Sequence, residues 1–146
     1  MQPVLHLEDL FIGQRFQSES HALDKQQIID FAAHFDPQVF HLDEEAAKNT
    51  FFNGLAASGW HTAAITMRLM VASIPLGKGL IGANVEMAWS KPTRPTDVLR
   101  VESEILAIRP SQSKPDQGIV TLSIVTKNQH NDVLQTLKAN VVAFRK

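Results

Sequence analysis

The chain has no cysteine. This rules out a disulfide framework, a thiolate nucleophile and a Cys-ligated zinc, and it fits a reducing compartment. Neither sign of charge dominates: 14 Lys and Arg stand against 15 Asp and Glu, scattered rather than striped, for a formal net charge of -1. A nucleic-acid surface needs a basic patch or stripe, so neither DNA nor RNA is an expected partner. Long hydrophobic runs are also missing, since no stretch of about 20 uncharged apolar residues occurs. The opening MQPVLHLEDLF lacks the basic start and continuous apolar run of a signal peptide. The expectation is a soluble cytoplasmic protein with no membrane partner. Internal repeats and low-complexity tracts are absent too. The 146 residues suit one domain, residues 1–146, long enough to bury a core without covalent staples.

Helices come first and strands after. FIGQRFQSESHAL carries Phe11, Phe16 and Leu23 among polar residues and reads as an opening strand or two. LDKQQIIDFAAHF reads as a helix capped by Asp24, with Gln27 three residues on completing a capping-box pattern. Ile28, Phe31, Ala32 and Phe35 form its buried stripe. Pro37 disfavours a helical conformation at Asp36 and cannot continue the ladder itself, so the helix ends at the acid. A loop follows, and Asp43 then caps a short helix in DEEAAKN.

SGWHTAAITMRLMVAS, residues 58–73, is apolar on nearly every side, with Arg68 its only formally charged residue. Such a helix is expected at the centre of the fold, enclosed by the rest. The small residues Ala57, Ser58 and Gly59 open it and let backbone or a ligand approach its amide-rich end. From residue 84 the period becomes two. Leu99, Val101, Ser103, Ile105 and Ala107 alternate with Arg100, Glu102 and Glu104, as in a strand with one wet face. IVTLSIVT and VLQTLKANVVAF continue in the same style, joined through KNQHND, while RPSQSKPDQG is the length of a strand connection. With ANVEMAWS, residues 83–90, these make at least four long strands with hairpin-like connections, hence antiparallel. The expected class is α+β, a sheet curled around one central helix.

The stretch HFDPQVFH, residues 34–41, leaves an acid and an imidazole close together beyond a broken helix. It is a catalytic pair or a helix terminus with a surface turn, and the local pattern admits both. Three ordered motifs, FDPQVFHLDEEAA, FNGLAASGWHTAA and SKPTRPTDVLRVESEI, together resemble the MaoC-like dehydratases, relatives of the R-specific enoyl-CoA hydratases. The resemblance runs through most of the chain and implies a hotdog fold. In that family a loop of the form Asp, any residue, Asn, Pro, aliphatic, His supplies both catalytic side chains. Asp36 and His41 match its acid and imidazole at the same spacing. The chain departs from the pattern at Gln38, Val39 and Phe35, where the hydratases have Asn, Pro and often Gly. At the opening of the central helix Ser58-Gly59 replaces the frequent His-Gly, with His61 two positions on.

The resemblance implies a hydro-lyase of acyl-thioester or fatty acid metabolism, an enoyl-CoA hydratase or 3-hydroxyacyl-CoA dehydratase. Coenzyme A would be part of the substrate, no other cofactor would be needed, and the protein would be a homodimer or higher homo-oligomer. Hydration asks for a base to take a proton from water, an acid to protonate the α-carbon, and donors for the enolate oxygen. Asp36 and His41 would share the first two tasks, and the Gly59 amide, with Ser58 and His61 beside it, would bind the oxyanion or substrate. Each residue also has a plainer reading: His61 in packing, Met67 and Met70 in the helix core, and Lys78, Lys91 and Arg94 as solvated charges rather than phosphate ligands. Ser58 lacks a nucleophile-elbow context, and no HExxH or similar metal-ligand spacing occurs, so neither serine acyl transfer nor a metal site is expected. Two alternatives are a hotdog acyl-CoA thioesterase and a non-catalytic acyl-thioester binding protein. The first lacks an Asp or Glu on residues 58–73, and the second draws on the altered Gln38, Val39 and Phe35.

Overall fold

The computed structural model describes residues 3–146; Met1 and Gln2, which begin the stretch read for a signal peptide, lie outside the described residues. After a short 3-10 turn come strands β1 (Arg15–Gln17) and β2 (His21–Ala22), then helices α1 (Lys25–Phe35), α2 (Val39–Leu42), α3 (Glu44–Ala47) and α4 (Gly59–Ser73). Strands β3 (Ile81–Trp89), β4 (Val98–Pro110), β5 (Gln117–Lys127) and β6 (Val133–Phe144) complete the chain. The six strands form one sheet in the order β1-β4-β5-β6-β3, with β2 also on β4, and every strand pair is antiparallel. This is the α+β architecture expected.

Its connectivity differs in one respect from a simple run of hairpins. β4, β5 and β6 are joined by hairpins, but β3 pairs with β6 and not with its sequence neighbour β4. The chain from Ser90 to Asp97 must therefore cross from one side of the sheet to the other. That crossing brings Lys91 and Thr93 to the mouth of α4.

Alternation builds the core. On β5 the buried positions Val120, Leu122, Ile124 and Thr126 fall on every second residue, and on β4 so do Leu99, Val101, Ser103 and Ile105. Ala107, expected on the same face, is exposed because the pairing with β5 shifts register between Ile105 and Ala107 and turns the next side chain outward. Against this face lie Ile65, Leu69 and Met70 of α4 and Ile28 of α1. Hydroxyl groups also fasten the helix to the sheet: Thr66 Oγ1 meets Thr126 Oγ1 at 2.7 Å and accepts from Gln135 Nε2 at 3.0 Å. Thr62 meets Thr93 at 2.9 Å, so these buried polar groups have partners.

Two further burial expectations fail. α4 is not enclosed all round, since Trp60, Met67 and Val71 make an exposed apolar stripe. α1 buries Ile28 and Ala32 but leaves Phe35 74% exposed, with only the rings of its own helix, Phe31 and His34, as aromatic neighbours.

Candidate active site

The site begins at two helix ends. Asp24 Oδ1 accepts from Gln27 N at 2.8 Å and starts α1. The Gln27 side chain turns instead to Ala22 O and His21, so the cap is one-sided and not a reciprocal box. Asp36 ends the helix, its N–H bonded to Ala32 O at 2.9 Å, and Pro37 prevents another turn. The stretch beyond, read as loop, is a short helical turn, α2, with His41 on its buried side. Asp43 then caps α3 by accepting from Glu45 N and Ala46 N at 3.1 Å each.

This fold-back brings the acid and the imidazole together. His41 Nε2 lies 3.3 Å from Asp36 Oδ2, and both side chains are largely buried. His41 Nδ1 is 2.6 Å from Ala56 O. A carbonyl can only accept, so Nδ1 donates to it, and Nε2 is left facing Asp36 and the cavity. Gln38 Nε2 donates to Asp36 Oδ1 at 2.6 Å, and Oδ2 faces His41 Nε2. Burial alone would raise the Asp36 pKa, but hydrogen bonds from Ser58 and Gln38 and the nearby His41 outweigh it and hold the carboxyl below its ordinary value. Asp36 is thus ionised at neutral pH. A carboxylate oxygen and an imidazole nitrogen point at the same small volume, where one water can hydrogen-bond to both.

The opening of α4 supplies the donors. Ser58, fully buried, caps the helix by accepting from Trp60 N at 3.2 Å. The Gly59 N–H, at the first helical position, has no intrahelical acceptor and sits at the positive end of the helix. Asp36, His41, Gly59 and Thr62 line one cavity of about 500 Å3 together with Phe51, Phe52, Trp60, Trp89 and Thr93. Asp36, His41 and Gly59 therefore share one space, as the sequence motif implies. Ser58 lies just behind it, supporting Asp36.

His61 faces elsewhere. It stacks on Phe31 with ring centroids 4.6 Å apart and the planes 4° from parallel, away from the lining of the cavity. Burial, with a smaller contribution from His21, pushes its pKa down to about 4, and Nδ1 has no hydrogen-bond partner. It is a neutral packing group, the plainer of its two readings. Met67 and Met70 line a separate apolar cavity between α4 and the sheet. Lys78 lies 5.2 Å from the centre of the Phe144 ring, far along the chain from the site.

Several contributors were not expected in the site. Lys91 lines the cavity while ion-paired to Asp132 at 2.8 Å. Arg94 is not a solvated charge: its guanidinium donates to the carbonyls of Phe52 at 2.5 Å and of Gly54 and Leu55 at 3.2 Å each. It thereby fastens the loop that carries Phe52 and leads to Ala56, the acceptor of His41. Trp89 packs flat on Gly59, so close that a Cβ there would come within 2.6 to 2.9 Å of the indole carbons. Only Gly at 59 or another residue at 89 relieves that contact. The one signal in the sequence was the run of small residues before α4.

The family model for the MaoC like domain matches residues 10–128. The chain belongs to the MaoC-like family. Its fold is the MaoC hotdog, and it superimposes on the MaoC-like dehydratase from Rhodospirillum rubrum with a TM-score of 0.95 at 57% identity, over 97% of this chain and 98% of that one. The (R)-hydratase from A. caviae involved in PHA biosynthesis is 27% identical, with a TM-score of 0.76 over 92% of this chain and 97% of that one. An uncharacterized Bacillus subtilis protein, YdeM, is 36% identical over 127 residues, covering 86% of this chain and 89% of its own. At the level of the MaoC-like family these relatives support a hydratase or dehydratase. Among the described residues no helix is long and apolar enough to cross a membrane.

Proposed function

We propose that the protein is a hydro-lyase that reversibly hydrates an enoyl-CoA, or dehydrates a 3-hydroxyacyl-CoA, with Asp36 and His41 as its catalytic pair. The observation that carries the reading is the 3.3 Å approach of His41 Nε2 to Asp36 Oδ2, with the second nitrogen and the second oxygen committed to Ala56 and Gln38. In the hydration direction, Asp36 takes a proton from a water that His41 orients, and the water oxygen bonds to the β-carbon. The π electrons move to the thioester oxygen, which the Gly59 N–H stabilises as an enolate. Collapse of the enolate with a proton delivered to the α-carbon by the His41–Asp36 pair completes addition and returns the site to its starting charge. The reaction asks for no metal or redox cofactor, and coenzyme A enters as part of the substrate.

A homodimer belongs to the same proposal. β3 is bonded to β6 on one side only, and Ile81, Val85 and Trp89 on it are exposed beside Trp60, Met67 and Val71 of α4. An unpaired strand beside an apolar stripe is a surface that a second copy would cover. A mass in solution of twice the chain supports this, and a monomer at micromolar concentration contradicts it.

The chemistry is tested by the ultraviolet absorbance of crotonyl-CoA, with released thiol measured in parallel. Loss of the conjugated absorbance without free thiol supports hydration. Free thiol would favour a thioesterase, and tight binding of acyl-CoA without turnover would favour a binding protein that kept the fold, as the altered Gln38, Val39 and Phe35 allow.

A further inference from the structure

Two threonine pairs join α4 to the rest of the fold, one turn apart, and they differ in where their hydroxyl protons go. Thr66 Oγ1 donates to Thr62 O at 2.8 Å, the familiar bond of a helical threonine to the carbonyl four residues back. Its 2.7 Å bond to Thr126 Oγ1 is therefore donated by Thr126, and Gln135 Nε2 donates to the same Thr66 oxygen at 3.0 Å. Both hydroxyl protons of that pair have acceptors.

Thr62 and Thr93 form the other pair, at 2.9 Å. Each hydroxyl carries one proton, and only one proton can lie between the two oxygens. Neither hydroxyl has a second partner among the described residues. Thr62 does not turn to the carbonyl of Ser58, which accepts the backbone N–H groups of His61 at 2.9 Å and Thr62 at 3.1 Å. One hydroxyl proton is left over. Both residues are buried and both line the cavity of Asp36, His41 and Gly59, so the cavity is where that proton finds an acceptor.

The backbone fixes both positions. Thr93 sits on the crossover from β3, where its carbonyl accepts from Ala57 N at 2.8 Å. Thr62 is three residues after Gly59, hence on the same face of α4, and a helical side chain tilts toward the N-terminal end, here toward the free Gly59 N–H. When Thr93 donates to Thr62, the Thr62 proton is the free one, on the side of that amide.

We infer that the Thr62 hydroxyl is a second donor to the thioester oxygen of the substrate, beside the Gly59 N–H, and that Thr93 is the positioning residue that turns the Thr62 proton into the cavity. The inference deepens the proposed acyl-thioester reading and rests on it. An enolate oxygen carries more negative charge than a thioester carbonyl, so both donors hold it more strongly in the transition state than in the ground state. Neither threonine transfers a proton.

The test uses Thr62→Val, Thr62→Ser and the double variant Thr62→Val with Thr93→Val. The single valine leaves the Thr93 hydroxyl buried without a partner; the double variant removes both hydroxyls at nearly constant shape and serves if the single one does not fold. Turnover of crotonyl-CoA is read beside calorimetric affinities for butyryl-CoA and for S-butyl-CoA, the thioether that lacks the carbonyl oxygen. Wild type is expected to bind the thioester more tightly than the thioether. Thr62→Val and the double variant are expected to lose about a hundredfold in kcat, with KM changed far less, and at least about threefold of the thioester preference. Thr62→Ser, which keeps the hydroxyl, should retain most of both. A merely structural role would weaken both ligands alike. A kcat near that of wild type in the folded variants, or an unmoved thioester preference, overturns the donor role and leaves the hydratase reading intact. If wild type hydrates no enoyl-CoA while the preference falls as expected, the hydratase reading fails and the donor stands. Equal affinity of wild type for the two ligands overturns the donor role, and binding of neither overturns both.

Discussion

The three-strand meander β4–β6 and the segment from Asp36 to Gly59 are built on different principles. In the meander each strand carries its own instruction: a side chain every second residue goes inward, and the hairpins bring neighbours in sequence into register. In the segment almost nothing is decided locally. His41 takes its direction from Ala56 O, fifteen positions on. The loop that carries this carbonyl is held by Arg94, which arrives on the crossover from β3. Stability thus resides in a periodic, self-consistent region, and the proposed chemistry in a non-periodic one held from outside.

Substitutions should separate the two. Ile124→Ala, at a fully buried position of the meander, should cost about 2–4 kcal/mol of stability by urea unfolding. Activity per folded molecule should change little. Next comes His61, which lies between the regions. Its imidazole resists protonation down to about pH 4 in the fold, whereas the unfolded group takes its proton near 6.5. The unfolded state therefore binds more protons across that window, and stability falls as pH drops through it, by up to about 3 kcal/mol in all. His61→Phe, which keeps the stack on Phe31, should remove that part of the acid sensitivity, read as a smaller shift of the urea midpoint between pH 7 and pH 4.

Arg94→Met is the sharper probe of the site segment. Loss of three carbonyl partners should loosen the Phe52–Leu55 loop and lower kcat/KM by about tenfold or more, with little change in the urea midpoint. Arg94→Lys should not restore it, because an ammonium cannot reproduce the planar fork. A variant with full activity would show that His41 needs no such support.

The same contrast decides what could be read from the sequence. The long strands, the Asp24 and Asp43 caps and the end of α1 at Asp36 follow from period and local chemistry, so they were legible. The bulge that turns Ala107 outward, the placement of β3 beside β6 and the exposure of Phe35 depend on how elements meet, and no window of residues contains that. In the site, the acid and imidazole were legible by their spacing and by resemblance. Arg94, Trp89 and the Gln38 bond to Asp36 were not, because each acts through a partner that only the folded chain brings near. His61 misled in the other direction, since its place at the mouth of α4 suggested the cavity while its ring turns to Phe31.

The most direct test of the central claim is the hydration of crotonyl-CoA by wild type, Asp36→Asn and His41→Gln, each first shown to be folded. A fall of at least about a hundredfold in kcat/KM for both variants, with unfolding midpoints near that of wild type, is the predicted result. Variants as active as wild type would contradict it and return HFDPQVFH to a helix ending and a turn.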